Sequence, residues 1–236
     1  MIKMINIIVN KLRKYNLYDK KLFKLIKVTI LKFKGRYMKK YGVSCLELID
    51  KCMLKANIDY WVDFGTLLGI YRDNNFIKHD FDIDIGIKKS SYKKELENIF
   101  ISNGMKKIRE YYAYDELVEQ TWIWNGVYID LFMYVKENDK LFSYEFYTKG
   151  EAKITKVNKK VSICDNLKAR IFYIPDINVK RIKFKNIEIS APENINEYLI
   201  LNYGENYKVP DKLWDSSKAD NVKELEKISM KEFLYK

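Results

Sequence analysis

The chain has 236 residues, 47% of them hydrophobic and 15% aromatic, which excludes a disordered polymer and allows one sizeable core. The whole formal charge of +12 sits in residues 1–42, where thirteen Lys/Arg meet a single acid, Asp19. The other 31 bases balance 31 acids, so the body is neutral and argues against an extended nucleic-acid groove. Three Cys and one His exclude a disulfide framework and a zinc site, and point to a reducing cytoplasm. No run reaches the roughly 20 apolar residues of a membrane span, and no signal-peptide pattern is present.

Residues 1–34 alternate lysines with Ile and Leu at helical spacing, and Gly35 is expected to break that helix. A second helical pattern covers 36–57, interrupted at Gly42. A short strand follows at 58–64, then a Gly-Thr turn opening a helix over 65–72. Residues 81–88 alternate acid and apolar side chains as a strand does. A helix is expected at 90–104, then strands at 106–112, 117–124, 127–135 and 140–147, with Asn125-Gly126 as a tight hairpin turn. The stretch 150–178 has no clear period. A hairpin turns at Lys185-Asn186, a helix with a Ser cap covers 190–204, and the last 30 residues read as polar and partly helical. The expected organisation is a basic helical arm, 1–42, and a catalytic domain, 43–236.

The strand at 81–88 carries the chemistry. It places Ile83, Ile85 and Ile87 on one face and Asp82 and Asp84 on the other, with Asp80 just before them. Asp82 and Asp84 would stand roughly 6–7 Å apart by strand rise, and their repulsion at an effective dielectric near 20 costs about 2–3 kcal/mol. A cation between them offsets that cost. Oxygen ligands without His or Cys suit Mg2+ or Mn2+. The bland alternative is a solvated edge-strand face. Gly65 and Thr66 begin a helix whose free N–H groups suit a phosphate, and Arg72 at its end is a further phosphate donor; each alone is equally a cap or a surface residue. Asp130 stands in the apolar strand GVYIDLFMYV and is expected either as a third metal ligand and base or as a hydrogen-bonded structural acid. Asp63 either contacts ligand or caps the next helix. His79, at the strand mouth, is either a substrate contact or structural.

The stretch 60–87, with Trp61, Gly65-Thr66-Leu67-Leu68-Gly69, Arg72, Phe76-Ile77 and Asp82-Ile83-Asp84, resembles the LicD-like family. Residues 191–210 are similar to that family's closing segment. Two departures stand out: His79 where the family has Trp, and Asp80-Phe81-Asp82 where it has an unbroken acid triplet. The resemblance implies an α+β, nucleotidyltransferase-like mixed sheet flanked by helices. It also implies transfer of phosphocholine, or a similar polyol or amino-alcohol phosphate, from a CDP-linked donor to a hydroxyl of a cell-surface glycan such as capsule or lipopolysaccharide, with release of CMP. Asp82, Asp84 and Asp130 would hold the metal, and Gly65, Thr66 and Arg72 would grip phosphate. The competing readings are a nucleotidyltransferase releasing pyrophosphate and a non-catalytic membrane-associated module. A choline head group would want an aromatic cage, for which Trp122, Trp124 and the Tyr-rich stretch 111–114 are candidates, with strand packing as the alternative. The arm, residues 1–40, either lies on an anionic inner leaflet, near a lipid-linked glycan acceptor, or packs on the body.

Overall fold

The computed structural model describes residues 20–78, 80–148, 153–158, 161–164, 167–211, 214–225 and 230–235, with side chains in the first helix from Leu31 onward. His79 and the first half of the basic arm lie outside the described residues. The elements in chain order are α1 (Lys20–Ala56), β1 (Tyr60–Val62), α2 (Phe64–Asp73), β2 (Asp82–Lys88), α3 (Glu95–Ser102), β3 (Lys106–Ala113), β4 (Glu116–Trp124), β5 (Val127–Glu137) and β6 (Lys140–Thr148). They continue with β7 (Ile154–Lys156), β8 (Val161–Cys164), β9 (Leu167–Pro175), β10 (Val179–Phe184), β11 (Ile187–Pro192), α4 (Ile195–Tyr203), β12 (Val222–Glu224) and β13 (Met230–Tyr235). The architecture is α+β: a large, mainly antiparallel sheet and, among the described residues, four α-helices.

The sheet runs β12-β9-β6-β5-β4-β3-β13-β8-β7, and β2 joins it beside β5. β2 and β5 are parallel, which sets Asp82 beside Tyr128 and Asp84 beside Asp130. β1 closes the other edge of β2, antiparallel, with Trp61 opposite Gly86. β5 is the hinge of the sheet: Val127–Phe132 pairs with β4, and Val135–Glu137 pairs with β6. The β10–β11 hairpin forms a separate two-stranded sheet.

The core lies on the face opposite the acids. Ile83, Ile85 and Ile87 are fully buried together with Leu46, Ile49 and Met53 of α1 and with Trp61 and Leu67. Three buried isoleucines contribute on the order of 5–9 kcal/mol, enough to hold β2 in place against the repulsion on its other face. At Gly86 a Cβ would come within 2.3 Å of the Trp61 indole. Gly86→Ala is therefore expected to lose about 1–3 kcal/mol of stability by overpacking, read as a lower urea midpoint with an unchanged slope.

α1 corrects the expectation of a break at Gly35. The helix runs through Gly35 and Gly42, although each glycine costs about 1 kcal/mol against alanine in a helix. Both mark close approaches instead: a Cβ would meet the Phe81 ring at 3.1 Å from Gly35 and the Phe76 ring at 2.7 Å from Gly42. The expected division at 42 thus falls inside one helix, which buries Met38 before that point and Cys45, Leu46, Ile49 and Met53 after it. The helix expected over 190–204 starts only at Ile195, because Ser190-Ala191-Pro192 pairs with β10 as the end of β11. The C-terminal segment supplies strands, with β13 inserted between β3 and β8.

Candidate active site

Asp63, Phe64 and Gly65 make the turn that builds the site. Asp63 caps α2 by accepting from Phe64 N at 2.8 Å. Its fully buried carboxylate also accepts from the hydroxyls of Tyr134 and Tyr198 (2.6 Å for the latter) and from Trp61 Nε1 at 3.2 Å. Burial pushes its pKa up, and these four donors pull it back. Of the two roles open to Asp63, the structure shows the cap, with the carboxylate fully buried. Phe64 sits at φ 35°, a left-handed conformation that costs about 1–3 kcal/mol for a non-glycine residue and is held by the cap. The turn is tied to β2 twice: Asp63 N donates to Asp84 O, and Asp84 N donates to Thr66 Oγ1, both at 2.9 Å. Thr66 is buried, so its hydroxyl anchors the strand and is not on the cavity wall.

Three carboxylates converge against this turn. One oxygen each from Asp80, Asp82 and Asp84 lies within 4.8 Å of the others. Asp80 enters from the loop before β2, where its Oδ1 accepts from Phe81 N at 3.1 Å. Only glycine at 65 permits this closure: a Cβ there would lie 2.1 Å from Asp80 Oδ2 and 3.7 Å from Asp84 Oδ2. Gly65→Ala is expected to expel the Asp80 carboxylate and weaken Mn2+ binding at least about tenfold, measured by titration calorimetry, while the melting temperature barely moves.

The converging trio contains Asp80 in the place where the sequence reading put Asp130. Asp130 belongs to a polar row running across four strands, Asp84–Asp130–Thr121–Arg109. Burial first, and the Asp82 charge second, push its pKa up to about 6, while Thr121, Arg109 and Lys34 pull the other way. Burial also pushes Asp80 up to about 8, helped by its hydrogen bond with Asp82, and holds Asp84 well above the usual carboxylate range, helped by the charges of Asp82 and Asp80.

These directions fix a pH dependence. Unfolded aspartates titrate near pH 4, so between about 4 and 8 the folded metal-free protein binds more protons than the unfolded chain. Its stability is expected to fall across that window as pH rises. A divalent ion held by the trio would replace the protons, so an increase in melting temperature on adding Mn2+ is expected to grow from pH 5 to pH 8, as thermal scans would show.

A cavity of about 360 Å³ opens on the trio, lined by Asp80, Asp82, Asp84 and Gly65 and by Phe64, Phe132, Phe172, Tyr203 and Trp214. Phe64 meets Phe132 and Phe172 edge to face at 5.1 and 5.0 Å, and Tyr203 meets Trp214 at 4.6 Å. A second cavity of about 840 Å³ shares Gly65, Tyr203 and Trp214 with it and holds Arg72 and Lys78. Arg72 is clamped there by Asp73 at 2.8–2.9 Å. Of the two readings open for Trp122, Trp124 and Tyr111, cage or strand packing, the structure shows packing. Trp122 is fully buried on the core face, edge to face with Phe100 at 5.1 Å, Trp124 meets Tyr41, and Tyr111 stacks on Phe146. Of the cavity aromatics, Phe64, Phe132 and Tyr203 stand in segments the sequence singles out, whereas Phe172 and Trp214 do not.

Residues 57–194 match the family described as LicD/FKTN/FKRP, nucleotidyltransferase domain, and the chain belongs to that family. The matched stretch contains Gly65, the three converging aspartates and Asp130. The chain is 25% identical over 178 residues to ribitol-5-phosphate transferase FKTN of Homo sapiens and, equally, of Macaca fascicularis, covering 75% of this chain and 35% of theirs. It is 26% identical over 165 residues to an uncharacterized protein of Rickettsia prowazekii (strain Madrid E), covering 68% of this chain and 54% of that one. The chain therefore spans about a third of the length of the FKTN proteins it matches.

Proposed function

We propose that this protein is a divalent-metal-dependent transferase that moves a phosphate-linked head group from a CDP-linked donor to a hydroxyl of a glycan, releasing CMP. The observation that carries the reading is the trio of aspartates closing over Gly65 at the wall of a cavity, within the segment that belongs to the family. The three carboxylates are an all-oxygen set suited to Mg2+ or Mn2+, and burial together with the neighbouring acids raises the pKa of Asp80 and Asp84, which supports a positive partner at the trio. Asp80, Asp82 and Asp84 would hold the ion, which when bound offsets charge on the donor phosphates and the leaving group.

The chain's own groups do the rest. Free N–H groups at the start of α2 face phosphate. Arg72, in the adjoining cavity, supplies a fixed guanidinium. Asp130, with its pKa raised to about 6, is suited to take the proton from the attacking hydroxyl near neutral pH. The acceptor oxygen forms a bond to the phosphorus bearing the head group, the bond from that phosphorus to CMP breaks, and the proton passes to Asp130. A polyol phosphate, as named for the FKTN relatives, is the first head group to test, and phosphocholine the second.

A nucleotidyltransferase-like arrangement of the β1–β2–β5 ribbon belongs to the same proposal. So do a lipid-linked glycan acceptor, a cytoplasmic location and peripheral placement at an anionic membrane surface through residues 1–40. Among the described residues no helix is long and apolar enough to cross a membrane. The deciding assay screens CDP-ribitol, CDP-glycerol and CDP-choline with Mn2+ and a glycan extract. CMP release that requires both metal and acceptor supports the reading. Release of pyrophosphate from nucleoside triphosphates, with no CMP from any CDP-linked compound, overturns it.

A further inference from the structure

β2 has two flanks. On the β1 side the trio meets Gly65 and the start of α2; on the β5 side it meets Tyr128, which stands beside Asp82 in parallel register. α1, which lies outside the matched family segment, crosses that second flank. Two contacts fix it there: Gly35 seats against the ring of Phe81, between Asp80 and Asp82, and Lys34 Nζ stands 3.7 Å from the centre of the Tyr128 ring. Lys34 is half-buried and, among the described residues, has no carboxylate within ion-pair distance. The charges that act on it are those of Asp82, Asp130, Asp80 and Arg109. Simple packing of the arm does not explain why the one turn of α1 laid on Asp82 and Tyr128 carries a lysine inward, where burial disfavours its charge.

We propose that Lys34 is a substrate-phosphate contact, delivered by α1 to the Tyr128 flank of the aspartate trio, so that one phosphate is held between the metal and this lysine. The inference rests on the metal-dependent phosphotransfer reading. With a divalent ion on the trio, the ammonium over the Tyr128 ring would lack a counter-charge, and a phosphate oxygen would supply it. The phosphate belongs either to the donor diphosphate or to a phosphate-linked acceptor. The same placement makes the arm part of the site.

The test measures Mn2+ affinity by electron paramagnetic resonance, and pyrophosphate affinity of the Mn2+-loaded full chain by calorimetry. Lys34→Met and Lys34→Gln are expected to weaken pyrophosphate about tenfold to a hundredfold and to leave Mn2+ binding unchanged or tighter. Lys34→Arg is expected to keep pyrophosphate binding, and Lys39→Met, an exposed lysine of the same helix, to have no effect. Unchanged pyrophosphate affinity in Lys34→Gln overturns the inference. So does a parallel loss of Mn2+ affinity, which would make Lys34 an organiser of the acids. Neither probe contains cytidine or a glycan, so a failed CDP-donor screen and a failed lysine test are separate results. In a working assay, a KM rise for the CDP-linked donor alone places the phosphate on the donor, and a rise for the acceptor alone places it there.

Discussion

Asp84→Asn is expected to lower metal-dependent turnover about a thousandfold or more and, at the same time, to raise the melting temperature of the metal-free protein. The two effects have one cause. At separations near 4.8 Å and an effective dielectric near 20, a pair of carboxylates repels by about 3 kcal/mol, and the trio contains more than one such pair. Asparagine keeps the shape and the backbone bond from Asp84 N to Thr66 Oγ1, and removes the charge. For a chain of this size a gain of 1–3 kcal/mol corresponds to a few degrees. An ordinary structural aspartate would give the opposite pattern, activity kept and stability lost. Turnover assays with thermal scans at pH 8, with and without Mn2+, separate the two.

Asp63→Asn is expected to be the most damaging single change to the fold, at a cost of about 3 kcal/mol or more. The carboxylate is fully buried and accepts from two tyrosine hydroxyls, an indole N–H and a backbone amide. An amide offers one oxygen and turns two N–H donors toward groups that are themselves donors. Whichever side the amide nitrogen takes, it faces an N–H that can only donate, Phe64 N or Trp61 Nε1, and leaves it unpaired, and breaking a buried charged network costs about 3–5 kcal/mol. Asp63 also anchors the strained Phe64 and, through its N–H to Asp84 O, the strand beneath the site. The substitution should therefore lower the urea midpoint and metal affinity together. A loss below about 1 kcal/mol would show that the cap is dispensable.

Local periodicity made much of this legible. The acid and apolar alternation of β2 fixes which side chains share a face, and Ile83, Ile85 and Ile87 are buried opposite the aspartates. Asn125 and Gly126, at φ 46° and 85°, form the expected hairpin turn. What periodicity does not carry is the path of a loop or the order of strands. Asp80 joins the trio because the chain before β2 bends back over Gly65, and no alternation encodes that bend. Asp130 was found on the right face, since parallel pairing with β2 puts it beside Asp84, but its carboxylate lies among Thr121 and Arg109. Trp122 could be read as a cage wall or as strand packing; its register opposite Ile129 sends it into the core. β13 is not legible locally because long-range pairing supports it: it lies between β3 and β8, and Glu232 is an inward-facing acid matched to Arg109 at 2.9 Å, a partner more than a hundred residues away. Gly35 read as a helix break from propensity alone, whereas a tertiary contact with Phe81 gives the reason for a glycine there.

The most direct test of the account is anomalous diffraction from crystals of the full chain soaked in Mn2+. A single peak within bonding distance of oxygens from Asp80, Asp82 and Asp84, absent in crystals of Asp84→Asn, is the expected result. The absence of any peak at those carboxylates in the unaltered chain at neutral pH would contradict it.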